Sequence, residues 1–74
     1  MTFETLMYIH SLMKRDEEAK REVYNAARDR LEELKDKGAS REEIAEAKQR
    51  KNTADRIHSD ALRALNEFND HDWR

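Results

Sequence analysis

Lys37-Gly38-Ala39-Ser40-Arg41-Glu42-Glu43 is the stretch on which the fold turns. Gly38 is the only glycine in 74 residues, and there is no proline. Glycine adopts a left-handed backbone at no steric cost, so Gly38 predicts the C-terminal cap of a helix. Lys35 and Lys37 precede it with the charge that suits a helix C-terminus. Ser40 then opens a second helix. In Ser40-Arg41-Glu42-Glu43 the hydroxyl can accept from the amide of residue 43, while Glu43 reaches back to the amide of Ser40.

Working outward, helix 1 is expected from about Phe3 to Lys37 with Thr2 as its N-cap, and helix 2 from Arg41 to about Phe68 with Asn69 as its cap. Residues 38–40 form the turn, and residues 69–74 a short tail. A connection this short makes two long helices antiparallel neighbours. Acid-before-base pairs four residues apart support both helices: Asp16/Lys20, Glu17/Arg21, Glu33/Lys37 and Glu46/Arg50. The fold class is all-α, a single helical-hairpin domain over 1–74.

Composition agrees with this reading and excludes much else. Ala, Glu, Lys, Leu and Arg supply 40 of the 74 residues, the mixture of long helices and coiled coils. With one glycine there is no material for a Rossmann turn, a P-loop or a β-sandwich. There is no cysteine, so no disulfide or thiolate metal site can staple the chain. A domain this small then needs oligomerisation or very regular helix packing. The hairpin is therefore expected to dimerise into a four-helix bundle or coiled-coil assembly. Net charge is -2, the mark of neither a general nucleic-acid binder nor an acidic mimic of one. Met1–Met13 lacks the basic region and cleavage site of a signal peptide. The longest apolar run is Leu6-Met7-Tyr8-Ile9, far short of the about 20 residues of a membrane span. A cytoplasmic protein is expected.

The apolar residues follow the helical period. Ile9, Leu12, Ala19, Val23, Ala26, Ala27, Leu31 and Leu34 fall within an arc of about 140° on helix 1. Ile44, Ala47, Ala54, Ile57, Ala61, Leu65 and Phe68 do the same on helix 2. A hairpin pivoting near residue 39 pairs positions whose numbers sum to about 78, so Leu34 meets Ile44, Leu31 meets Ala47, Val23 meets Ala54 or Asp55, Met13 meets Leu65 and Ile9 meets Phe68. Leu6 would then lie near Asp72 and Trp73. The open end is the richest in apolar residues and is expected to hold most of the stability. It also exceeds what one seam can bury. Phe3, Leu6, Met7, Tyr8, Leu12, Met13, Leu62, Leu65, Phe68 and Trp73 are the expected partner or dimer interface, because an apolar patch of that size marks an interaction surface.

Other residues carry groups capable of chemistry. His10 falls near Phe68 and within reach of Asp70, His71 and Asp72, a conceivable metal set. No pair has the i, i+4 spacing of a helical metal motif, and solvated or capping histidines are the simpler reading, so neither metal nor cofactor is expected. His58 shares a heptad position with Ile44, Lys51 and Leu65, where a polar residue can fix register; the preferred reading is a flank position with the ring half exposed. Adjacent carboxylates such as Glu17/Glu18, Glu32/Glu33 and Glu42/Glu43 point about 100° apart and converge on nothing. Two helices offer no concavity to tune an acid–base pair, so catalysis is not expected. Lys48, Arg50, Lys51 and Arg56 could grip phosphates, but no aromatic residues interleave and acids flank the stretch. Trp73 either packs back on the start of helix 1 or is offered to a partner.

The start, Thr2-Phe3-Glu4-Thr5-Leu6-Met7-Tyr8-Ile9-His10, and the end, Ala64-Leu65-Asn66-Glu67-Phe68-Asn69-Asp70-His71-Asp72-Trp73, resemble a group of short uncharacterised helical proteins from phages and prophages of gut Firmicutes. The resemblance covers about 19 residues and leaves the middle generic. It implies a phage-encoded accessory protein in the host cytoplasm and transfers no site residue. By analogy, such proteins bind and sometimes inhibit a host or defence protein. Non-catalytic protein–protein binding is thus the expected function, with itself and an unidentified host or phage protein as partners and no membrane. The second reading is a small nucleic-acid-binding accessory protein using the basic mid-section of helix 2.

Overall fold

The computed structural model describes residues 2–71. Its two helices, α1 (Phe3–Asp36) and α2 (Arg41–Asp70), lie antiparallel as a hairpin rod 55 Å long and 14 by 12 Å across. No helix among the described residues is long and apolar enough to cross a membrane.

The turn is closed as its residues dictate. Gly38 has φ +68°. Its amide donates to the carbonyl of Lys35 at 3.2 Å, and the amide of Ala39 donates to Leu34 at 3.0 Å. This is the Schellman pattern, in which the residue after the glycine also packs back on the helix it ends; Ala39 packs against the cluster of Leu31, Leu34 and Ala47. Ser40 Oγ accepts from the Glu43 amide at 3.2 Å, and Thr2 Oγ1 from the Thr5 amide at 3.2 Å. All four expected i, i+4 ion pairs are present, from 2.6 Å for Arg50–Glu46 to 3.7 Å for Arg21–Glu17. The helix ends differ slightly from expectation. α1 stops at Asp36 with Lys37 as cap, and α2 runs past Phe68 to Asp70 with His71 as cap. Without a glycine or proline to break it, α2 gains a further bond, the His71 amide donating to Glu67 at 3.1 Å.

The seam between the helices alternates steps of three and four residues, the coiled-coil period. On α1 it holds Leu6, His10, Met13, Glu17, Lys20, Tyr24, Ala27, Leu31 and Leu34; on α2, Ile44, Ala47, Lys51, Ala54, His58, Ala61, Leu65 and Phe68. Every one of these is buried or half-buried. The expected pairing of Leu31 and Leu34 with Ala47 and Ile44 forms the core cluster.

Two expectations need correction. Leu12, Ala19, Val23 and Ala26 of α1, and Ile57 of α2, are exposed, Val23 at 62%. They belong to a second stripe beside the seam, because a 3.6-residue helix drifts across an arc wider than one partner helix can cover. The core also sits elsewhere. The buried apolar residues are Leu31, Leu34, Ala47 and Ala54, at the turn end and middle. At the open end Leu6, Met13, Leu65 and Phe68 are only half-buried, since no covalent turn closes that end and no third element covers it.

Candidate interaction surface

The middle of the seam is polar where a two-helix core can least accommodate it. His58 Nε2 donates to Glu17 Oε1 at 3.1 Å, with the side chains 16% and 8% exposed. Tyr24 stacks on the His58 ring at 6.2 Å, nearly parallel. Arg21 Nη1 approaches the same Glu17 oxygen at 3.7 Å. His58 is therefore a seam residue and not a half-exposed flank. Its partner Glu17 was missed in the sequence, although it stands seven residues before Tyr24 and fourteen before Leu31, in phase with the core. A buried polar pair of this kind holds register, because sliding one helix past the other strands both groups without partners.

The apolar residues that escape the seam form two separate surfaces. The first lies at the open end. Phe3, Met7, His10, Ser11 and Asn69 bound a groove of about 580 Å³ floored by Leu6 and Phe68. Phe3 is 75% exposed, Tyr8 65% and Met7 56%. His10 stacks on Phe68 with centroids 6.0 Å apart, as the register predicted. Of the ten residues expected to form an interface, Phe3, Met7, Tyr8, Leu12 and Leu62 are exposed, whereas Leu6, Met13, Leu65 and Phe68 serve the seam. Trp73, and the approach of the tail to Leu6 through Asp72, lie outside the described residues.

The second surface lies halfway along the rod, where Val23, Ala54 and Ile57 line a trough of about 570 Å³ edged by Lys20, Arg50 and Thr53. The opposite side of the hairpin is different. There α1 presents Lys14, Arg21, Arg28 and Lys35 at seven-residue spacing, and α2 adds Lys48 against Asp55.

The basic residues of α2 do not form one face. Lys51 is drawn into the seam, Arg50 is held by Glu46 at 2.6 Å, and only Lys48 and Arg56 share a groove, beside Gln49 and Asn52. A phosphate backbone would meet two of the four cations at once. Among the described residues no three His, Cys, Asp or Glu side chains converge as a metal site requires. Glu33 is held below the usual carboxylate range, first by the hydrogen bond from Lys37 and then by the charge of Lys37. It lies near the turn end and faces solvent. No known protein family, curated protein or solved structure matches this chain significantly.

Proposed function

We propose that the chain is a non-catalytic protein–protein interaction module: a hairpin that pairs with a second copy into a four-helix assembly and docks another protein at its open end. The carrying observation is the imbalance of burial. Among the described residues four apolar ones are buried while seven large ones stand exposed, five of them (Phe3, Met7, Tyr8, Leu12 and Leu62) toward the open end. An aromatic- and methionine-rich patch beside a groove is the composition of a binding surface. The resemblance at the two ends of the chain supports a phage accessory protein, whose partner would be a host or defence protein that it inhibits.

The test is affinity capture from host lysate with the wild-type chain and with Met7→Glu/Tyr8→Glu, the oligomeric mass being measured alongside. Both side chains point away from the seam, so the variant keeps its helices and its mass. A protein captured by the wild type and lost with the variant supports the reading; equal capture by both sinks it. Tight binding to duplex or single strands at physiological salt, weakened by reversing Lys48 and Arg56, would put nucleic-acid binding in its place.

A further inference from the structure

The chain carries more surface than a monomer of its mass should. An 8.9 kDa protein ordinarily exposes about 4,800 Å², whereas this one exposes 6076 Å². The surplus, roughly 1,300 Å², exceeds the about 800 Å² that each partner contributes to a standard interface. The radius of gyration is 16.8 Å, against about 11 Å for a compact chain of this length. A rod of two helices lacks the other half of a bundle.

Which half is missing follows from the two long sides of the rod. The side with Lys14, Arg21, Arg28 and Lys35 would set like charges against like in any two-fold pairing. The other side carries Ala19, Val23, Ala26 and Ile57, with the trough between Val23 and Ile57 at its centre. We propose that two copies of this chain associate through the Val23–Ile57 side, turn beside turn, as a two-fold four-helix bundle. This deepens the module proposed above, by separating the self-association side from the open-end groove left for the other protein.

Polarity along the stripe decides the orientation. From the open end to Ala26 this side carries Ile9, Leu12, Ala19, Val23, Ala26 and Ile57, interrupted by Asp16 and Asp60; toward the turn it carries Arg30, Glu43, Glu46 and Arg50. With like ends together, α1 of one copy lies over α2 of the other, so that Val23 meets Ile57 and Arg30 meets Glu43 and Glu46. With the copies reversed, Ile9 would be covered by Arg30 and Val23 by Asp16, burying charge against apolar surface. In a two-fold pairing the same patch serves both copies, so one substitution strikes the interface twice.

Two measurements test this, and neither needs the other protein. Sedimentation should give twice the chain mass at micromolar concentration for the wild type and for Leu62→Glu on the opposite side. Val23→Glu should raise the dissociation constant by about tenfold or more while the helical circular dichroism persists. A wild-type monomer, or a Val23→Glu dimer as tight as wild type, overturns the proposal. The absence of native cysteine allows a single spin label through Arg41→Cys at the turn. Like-end pairing places the two labels within roughly 30 Å, since packed helices lie about 8–10 Å apart and the label arms add the rest. A separation near the 55 Å length of the rod would show reversed copies and overturn the orientation. Equal partner capture by the wild type and by Met7→Glu/Tyr8→Glu, with the dimer intact, would fault only the open-end reading.

Discussion

The turn end and the open end of the hairpin contain similar side chains and have opposite fates. At the turn end, Leu31, Leu34 and Ala47 are at most 7% exposed, with Ala39 and Ile44 packed on them. At the open end Leu6, Met13, Leu65 and Phe68 reach only half-burial, and the more numerous Phe3, Met7, Tyr8, Leu12 and Leu62 stay in solvent. Burial therefore depends on distance from the covalent turn and on helical phase more than on apolar content. The turn holds two helix ends together, so Leu31 and Leu34 are covered by Ala47, Ile44 and the turn residue Ala39. The open end has only one neighbour per helix and fewer constraints on fraying.

The largest effect should come from the turn-end core. Leu31→Ala is expected to cost about 2–5 kcal/mol, because a fully packed leucine leaves a cavity. Leu65→Ala should cost less than half of that in thermal melts at low protein concentration. If Leu65→Ala becomes as damaging as Leu31→Ala when the concentration is raised, the open end is being covered by association, since only a dimer's melting point depends on concentration. Equal costs at every concentration would break the contrast between the two ends.

The polar pair between them comes next. His58→Ala leaves the Glu17 carboxylate buried beside Arg21 alone, at an expected cost of about 1–3 kcal/mol. Glu17→Leu/His58→Leu should recover most or all of it, because replacing both partners of a buried hydrogen bond by apolar groups is often nearly neutral or better. A double-mutant cycle by thermal melts reads the coupling directly. Additive effects would mean that the pair does not hold the register.

Gly38→Val should cost about 1–2 kcal/mol, the penalty of a left-handed backbone for a residue with a Cβ. A Cβ at this position meets nothing within 4 Å, so the loss is backbone strain and not collision. Gly38→Asn, which tolerates that conformation, should retain most of the stability. If valine and asparagine melt alike, the cap is not what closes the turn.

The smallest effect is at Glu33. Its folded pKa is lowered by Lys37, so its contribution is present above the ordinary carboxylate range and lost as pH falls through the lowered value. Glu33→Gln should therefore melt slightly below the wild type at neutral pH and together with it in strong acid. A difference that persists or grows in acid would reverse the sign and assign the effect to something other than this carboxylate.

Much of the fold was legible because its signals are local. Gly38, Ser40, Thr2 and the i, i+4 pairs act within one or two turns of backbone, where the chemistry of neighbouring residues is decided before anything packs. The antiparallel register followed from the turn length, and placed His10 on Phe68 and Leu31 on Ala47. The candidate surface was legible in composition but not in position. Leu12, Val23 and Ile57 read as core because an amphipathic arc shows which residues avoid water, not which of them another helix will cover. Glu17 was legible only as the i, i+4 partner of Arg21, and His58 only as a half-exposed flank, because polar residues usually keep contact with water.

Two helices, one turn and an excess of apolar side chains too large for a pair of rods to hide are written in the residues themselves. The seam is not; packing sets it. Two cylinders touch along a line, so of a 140° arc only the 3-4 positions in phase with Leu31 and Leu34 are covered, whatever residue stands there. That line takes in Glu17, Lys20, Lys51 and His58 and leaves Val23 and Ile57 outside. Contact geometry, which no single residue encodes, separates the surface that holds this hairpin together from the surface it offers.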